Sequence, residues 1–205
     1  MVRQIISTCF LLFIILFTTN NSSLSNSKKA SDYNITIDIQ PFTGISEKEK
    51  NYVFSELKKV YPYVVLKKYI SLPQSAYYPG RNRYRADSLI NYLNNKTSIG
   101  HVTIGLTNKD ISATKDNIAD WGVMGLGFCP GKACIVSTFR LSKSEKLMQL
   151  FKVAIHELGH TQGLNHCPVK FCFMRDAEGK NPTNEEKEFC KKCKDYLVDK
   201  GWEFK

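Results

Sequence analysis

The sequence predicts one mixed α/β (α+β) domain, in which helices and short strands build a twisted sheet of mixed strand order. Three observations lead to this class. The chain has 205 residues, 42% of them hydrophobic, which suits a single domain with a sizeable core. Some segments alternate apolar and polar residues as strands do, and others repeat apolar residues at helical spacing. Helical segments lie between the strand segments, which indicates helices packed on a sheet.

The first two elements are a strand and a helix. Residues 33–40 carry isoleucine at every second position from Ile35, which is typical of a half-buried strand. Ser46 and Glu49 have the spacing of a capping box, which predicts that a helix begins there. Its apolar positions recur at helical spacing until Pro62, which ends it because proline cannot continue a helix.

The middle of the chain is predicted to contain three strands and one helix. Residues 63–72 are expected to form a second strand, and residues 76–83 a loop rich in tyrosine and arginine. Residues 101–106 and 121–128 are further strands, joined by a polar connection. The helix before them is marked by apolar residues at helical spacing: Ala86, Leu89, Ile90 and Leu93.

One more strand and a long helix follow. Residues 134–141 are rich in β-branched and aromatic residues, and we expect them to form the edge strand along which an extended peptide could pair. Ser142 and Glu145 have capping-box spacing and predict the start of the next helix. Its buried face is given by six apolar residues: Leu147, Leu150, Phe151, Ala154, Ile155 and Leu158.

The N-terminal segment 1–27 has the organisation of a secretory signal. Arg3 is followed by an almost wholly apolar stretch over residues 5–17 and then by uncharged polar residues. No clear cleavage site is present, so either a cleaved signal peptide or an uncleaved membrane anchor fits. We therefore expect an exported or membrane-anchored protein, with an intracellular location as the alternative, and assign residues 28–205 to the folded domain.

Composition limits the possible partners. The chain has 29 Lys and Arg residues against 19 Asp and Glu residues, giving a formal net charge of +10. A solvated lysine-rich surface accounts for this charge, so nucleic-acid binding is not expected. The chain has seven cysteines, and this odd number excludes a fully paired disulfide scaffold.

Three of the four histidines lie close together in the motif HExxHxxGxxH. His156 and His160 are one helical turn apart, so both imidazoles can reach one metal ion. Gly163 stands where the helix must end, and its freedom of backbone conformation allows a sharp turn that can return His166 as a third ligand. Glu157 is placed to approach the open side of the metal without binding it.

This ligand set favours zinc and a hydrolytic site. Three neutral imidazoles suit zinc and leave a fourth position for water, whose pKa falls towards about 7 on the metal. Glu157 is then the candidate general base that takes the proton of the zinc-activated water during peptide hydrolysis.

Further residues after the third histidine resemble a known family. They are Cys167, Cys172, Met174, Cys190 and Cys193. The pattern HExxHxxGxxHCx4CxM followed by a distal CxxC resembles the archaemetzincins, zinc metallopeptidases of the metzincin clan. Residues 156–174 match it at every fixed position, and the likeness extends over most of residues 33–195.

The resemblance implies a metzincin-like fold with an active-site helix and a C-terminal helix tied by a structural zinc. It implies two zinc ions per chain. His156, His160 and His166 would bind the catalytic ion, with Met174 as the Met-turn residue beneath it. The four cysteines of the pattern would bind the structural ion: Cys167, Cys172, Cys190 and Cys193.

Two alternatives concern the cysteines. Thr183 and Glu186 are expected to cap a final helix whose inward face carries Cys190 and Cys193, where they can complete a four-cysteine zinc site. In an oxidising compartment the same four cysteines could form two disulfides instead. Cys129 and Cys134 could also form a disulfide or remain free thiols.

The sequence thus predicts a monomeric zinc metallopeptidase that acts on peptides, as a short-peptide endopeptidase or an aminopeptidase. Membrane association is expected only if the N-terminal segment is an uncleaved anchor. The alternative is a zinc-stabilised binding protein without catalytic activity, against which Glu157 argues, because a purely structural site does not need an acid at that position.

Overall fold

The computed structural model describes residues 34–177 and 179–205 and confirms the mixed α/β class. The strands are β1 (Thr36–Pro41), β2 (Val64–Leu66), β3 (Tyr77–Tyr78), β4 (Arg83–Arg85), β5 (His101–Thr107), β6 (Ile111–Lys115), β7 (Ile118–Val123), β8 (Gly125–Gly127) and β9 (Ala133–Ser137). The helices are α1 (Glu47–Val60), α2 (Ala86–Asn94), α3 (Lys146–Thr161) and α4 (Lys191–Asp199). The signal-like segment 1–27 lies outside the described residues. Within the described ranges, no helix has the length and apolar character that a membrane span requires.

The larger sheet has the strand order β2-β1-β5-β9-β8. All of its neighbouring strands are parallel except β8, which runs antiparallel to β9. The strand that contains Cys134 is therefore an interior strand, and our expectation that it forms the edge is wrong. The edge strand beside it is β8, a segment of two glycines around Leu126 that lacks the apolar alternation by which strands are detected, and β2 forms the other edge.

A second, smaller sheet has the order β3-β4-β6-β7 and was not predicted. The polar connection after β5 contains β6, which pairs antiparallel with β7 around a turn in which Asp116 has a φ of 51°. The predicted strand 121–128 is in fact the end of β7 and the whole of β8, which belong to different sheets. The predicted strand 63–72 is also shorter, because beyond Leu66 only a single bridge between Phe42 and Ile70 continues the pairing.

Helix α1 begins as predicted. The Ser46 hydroxyl accepts a hydrogen bond from the Glu49 backbone N–H at 3.2 Å, and the Glu49 carboxylate accepts one from the Ser46 N–H at 2.9 Å. Two of the predicted apolar residues, Val53 and Leu57, are fully buried. The helix ends at Val60, two residues before Pro62.

Helix α3 packs against both α1 and the larger sheet, and five of its six predicted apolar residues are buried, Leu147 being partly exposed. Its predicted capping box is wrong: Glu145 is the N-cap residue and makes no side-chain capping hydrogen bond. The Ser142 N–H instead donates to the Gln149 side chain at 2.8 Å. A contact between residues seven positions apart leaves no local sequence signal.

Helix α4 begins at Lys191, with Cys190 as the N-cap residue. Our expectation that Thr183 and Glu186 cap this helix is wrong, since both lie buried in the preceding loop. The loop is fixed by Lys152 of α3, whose ammonium donates to the backbone carbonyls of both residues. This long-range contact takes the place of the local cap that the spacing suggested.

Candidate active site

The two helical histidines meet as their spacing predicts. The Nε2 atoms of His156 and His160 lie 3.0 Å apart on one side of α3. The apolar face of the same helix is buried against the sheet and α1, so the backbone that carries both imidazoles is held firmly.

A glycine turn brings the third histidine to the same place. Helix α3 ends at Thr161, and Gly163 follows with a φ of +93°, in the region that favours glycine. The Gly163 N–H donates to the His160 carbonyl at 2.8 Å, which closes the end of the helix. The chain then reverses, and one nitrogen from each of His156, His160 and His166 lies within 4.8 Å of the others.

Backbone carbonyls fix the two helical imidazoles. His156 Nδ1 lies 2.7 Å from the Phe173 carbonyl oxygen, and His160 Nδ1 lies 2.7 Å from the Leu164 carbonyl oxygen. Because a carbonyl only accepts, each Nδ1 carries the hydrogen and each Nε2 presents its lone pair to the shared centre. Burial lowers the pKa of His156 to about 3, and burial also lowers the pKa of His160, so both imidazoles are neutral at ordinary pH.

The third imidazole is oriented by an acid that sequence reasoning missed. His166 Nδ1 lies 3.3 Å from a carboxylate oxygen of Asp176. A carboxylate behind a metal-binding histidine fixes the orientation of the ring. The motif gives no signal for this partner, because Asp176 approaches only through the fold of the loop after His166.

The three nitrogens fit one zinc ion. At a zinc–nitrogen distance of about 2.0–2.1 Å, tetrahedral geometry places ligand nitrogens about 3.3–3.4 Å apart. The distance of 3.0 Å between the two helical nitrogens is near this value, and the set within 4.8 Å closes around one ion by small shifts. Three neutral imidazoles are also the donor type that suits zinc.

Glu157 lies buried beside the histidine cluster, under the edge strand. Its carboxylate accepts a hydrogen bond from the Gly127 backbone N–H, and burial raises its pKa to about 8 against that contact. A Cβ atom on Gly125 would lie 2.7 Å from a Glu157 carboxylate oxygen, so the glycines of β8 make room for this side chain. A dication at the histidine cluster would lower the Glu157 pKa again.

Met174 lies fully buried beneath the histidine-bearing helix. Its sulfur occupies the space next to Gly159, where a Cβ atom would lie 2.3 Å from it. Its carbonyl accepts a hydrogen bond from the Cys167 N–H at 2.7 Å, which closes the loop that begins just after His166. Met174 thus supports the region between the two helical histidines.

Four cysteine sulfurs form a second cluster behind the first: Cys167, Cys172, Cys190 and Cys193, all within 4.8 Å of one another. The Cys167–Cys190 and Cys172–Cys193 sulfur distances are both 3.7 Å. A tetrahedral zinc with bonds of about 2.3 Å places its sulfur ligands about 3.8 Å apart. All four are free thiols in the structure, as are Cys129 and Cys134, so the geometry favours a metal over disulfides.

The histidine cluster opens into a cleft of about 860 Å³. One wall is formed by β8 and the end of β7, and another by loop residues 175–177, 179–183 and 186. The fold and this site define the class of the protein: it is a metallopeptidase, with zinc as its metal.

The comparisons with known proteins identify the family. The sequence model described as Peptidase family M54 matches residues 45–199. The archaemetzincin of Methanopyrus kandleri is 34% identical over 142 residues, covering 65% of this chain and 76% of that one. The archaemetzincin of Halobacterium salinarum is 32% identical over 171 residues, covering 77% and 96%. The chain belongs to this family, the archaemetzincins.

A solved structure supports the same fold. The crystal structure of archaemetzincin from Archaeoglobus fulgidus, complexed with malonate, has a TM-score of 0.68 and 27% identity to this chain. The match covers 79% of this chain and 99% of that one. The metzincin-like fold that the sequence resemblance implied is thereby confirmed.

Proposed function

We propose that this protein hydrolyses peptide bonds at a catalytic zinc held by His156, His160 and His166, with Glu157 as the general base. The observation that carries this proposal is the position of the Glu157 carboxylate: it is buried next to the histidine cluster, yet it lines an open cleft. Burying a carboxyl is costly, and a site that only stabilised the fold would not need it.

The zinc site and Glu157 have different roles in the reaction. Bound zinc supplies Lewis acidity, which activates a water molecule and polarises the carbonyl of the scissile bond. Glu157 takes a proton from the attacking water at a carboxylate oxygen and delivers it to the leaving nitrogen, so that peptide and water become a carboxylic acid and an amine. The hydrogen bond from the Gly127 N–H keeps the carboxylate in place.

The substrate is held along β8. This strand is at an edge of the larger sheet and lines the cleft, so an extended peptide can lie along it and pair with backbone groups other than the Gly127 N–H, which Glu157 occupies. We predicted that the strand with Cys134 would bind the peptide; this role is now assigned to β8, the strand next to it. We expect short peptides as substrates.

A second zinc at the four cysteines holds the catalytic loop. Cys167 and Cys172 flank the chain that leaves His166, and Cys190 and Cys193 lie at the start of α4. One ion bound to all four ties α4 to this loop and so keeps His166 and Met174 in position. The proposal therefore requires two zinc ions per chain.

Metal analysis and peptide cleavage by the wild type and by Glu157→Gln test the proposal. We expect two zinc ions per chain in both proteins, and a loss of cleavage of at least about a thousandfold in the variant. Glu47→Gln on the exposed side of α1 is the matched control and should cleave as the wild type does. Equal cleavage by Glu157→Gln would overturn the assigned base. A wild type that binds both zinc ions but cleaves no peptide would instead favour the non-catalytic binding protein.

A further inference from the structure

A lysine lies in the wall of the cleft close to the histidine cluster. Lys152 is on α3, one helical turn before His156 and on the same face, and its side chain lines the cleft. Four residues of helix advance about 6 Å along the axis. Lys152 and His156 thus stand one turn apart on the helix, and both line the same cleft.

The ammonium is held in place by uncharged groups. Lys152 Nζ donates to the carbonyl oxygens of Thr183 and Glu186, both at 2.6 Å. A lysine ammonium has three N–H donors, so these two hydrogen bonds fix its position and leave a third donor for a ligand. The same bonds anchor the far wall of the cleft to α3.

Lys152 differs from the arginines around it. Arg140 is paired with Asp110 at 2.9 Å, and Arg175 with Glu185 at 2.9 Å. For Lys152, by contrast, no carboxylate of residues 34–177 and 179–205 lies within 4.0 Å of Nζ. Lys152 is thus a half-buried cation in the cleft, and none of the described carboxylates forms an ion pair with it.

The neighbouring acids do not cancel this charge. Glu145 and Glu186 act on Lys152 from beyond contact distance, and burial lowers the pKa of Lys152. Burial also raises the pKa of Glu186 to about 7, so this carboxyl is partly protonated at neutral pH. A cation that has lost part of its water and lacks an ion-pair partner gains more from an incoming anion than a paired cation does.

We propose that Lys152 is a specificity-determining residue that binds a carboxylate of the substrate next to the scissile bond. This proposal rests on the proposed peptidase function and names its substrate class: peptides with an acidic side chain at that position, or short peptides whose free C-terminus reaches it. Both sources offer the same group to the same ammonium, and an extended peptide advances about 3.3 Å per residue, which brings either within reach.

Peptide binding to the zinc-loaded Glu157→Gln protein tests this without requiring turnover. The probes are fluorescent alanine-based peptides that carry Glu, Gln or Lys at one position, scanned along the sequence, each with a free and with an amidated C-terminus. At one position the Glu peptide should bind about tenfold more tightly than the Gln peptide, with both amidated. If the C-terminal carboxylate is the ligand, the Gln peptide with a free C-terminus should instead bind about tenfold more tightly than the amidated Gln peptide.

Substitutions of Lys152 test whether this residue causes the preference for a carboxylate. Lys152→Met in the Glu157→Gln protein should remove the preference, and Lys152→Arg should keep most of it. Lys58→Met is the matched control, because Lys58 is a half-buried lysine that donates to the Pro62 carbonyl at 2.7 Å on a different helix. It should leave the preference unchanged. Zinc content and Tm report whether the loop that Lys152 anchors is still folded.

Each outcome either supports or overturns the assignment. Equal affinity for all probes, or a preference that persists in Lys152→Met, overturns the assignment. If Lys152→Met loses its fold, Lys152→Glu replaces it: a switch of preference to the Lys peptide supports the assignment, and no switch overturns it. A preserved preference in a wild type that hydrolyses none of the peptides contradicts the proposed function and leaves the carboxylate site standing.

Discussion

Replacement of Gly127 by alanine should push the edge strand β8 and the histidine-bearing helix α3 slightly apart. Gly127 lies in β8, and a Cβ atom there would be 2.7 Å from the Glu157 backbone carbonyl oxygen and 3.3 Å from a carboxylate oxygen of the same residue. Ordinary contacts of a Cβ atom begin at 3.4 Å. The strand or the helix must therefore move by about 0.7 Å. Since the carbonyl belongs to the helix backbone, no side-chain rotation can relieve the clash.

The size of the effect follows from this displacement. Overpacking of this kind costs about 1–3 kcal/mol, which in a domain of this size lowers Tm by roughly 3–10 °C. A general base displaced by somewhat less than 1 Å, with its hydrogen bond from the Gly127 N–H stretched, should lower kcat by about 10- to 100-fold. The assay is kcat and KM for one cleaved peptide, with Tm and zinc content measured on the same samples.

Gly105→Ala is the matched control. Gly105 lies in β5, away from the cleft, and a Cβ atom there would lie 2.7 Å from the methyl ends of both Ile135 and Leu93. This variant should lose stability but keep its kcat per folded molecule. Wild-type kcat in Gly127→Ala, or equal losses of kcat in both variants, would refute the argument that β8 positions Glu157.

Three further predictions concern the two metal clusters and the cleft wall. Cys193→Ser should lower the zinc content by one ion per chain and lower Tm, whereas disulfides among these cysteines would leave zinc unchanged and appear in the mass spectrum. Gly163→Ala places a Cβ atom at a φ of +93° and 2.7 Å from the Tyr196 hydroxyl oxygen, so we expect His166 to shift and a competing chelator to remove catalytic zinc more readily. Glu186→Gln should stabilise the protein by about 1–3 kcal/mol at pH 8 and by almost nothing at pH 4. The reason is that the pKa of Glu186 is about 7 in the folded protein, where the carboxyl is buried, and 4.5 in the unfolded chain. Ionisation of Glu186 therefore destabilises the folded protein as pH rises through this range, and the glutamine avoids this cost. Measuring Tm of both proteins at pH 4 and pH 8 checks the sign.

The sequence predicted which histidines and cysteines lie together better than it predicted the strands. His156, His160 and Gly163 act through helical spacing and a turn, which are local and therefore visible in the residue pattern. The structure also brings together the four cysteines, although their sequence separation gives no direct sign of contact. That prediction depended on family resemblance as well as on residue type.

What the sequence did not predict depends on contacts between distant residues. Asp176 behind His166, and the glycines of β8 that make room for Glu157, are recognisable only once the chain is folded. The loop carbonyls that hold Lys152 replaced the helix cap that the spacing of Thr183 and Glu186 predicted. In each case a long-range hydrogen bond or close approach prevailed over the local pattern.

Removal and return of the catalytic metal tests the central claim most directly. A chelator that strips the histidine cluster, which opens into the cleft, but leaves the buried cysteine cluster loaded should abolish peptide cleavage, and one equivalent of zinc should restore it. The Glu157→Gln protein should take up the same equivalent and stay inactive. Cleavage at the wild-type rate by protein with no metal at His156, His160 and His166 would contradict the account.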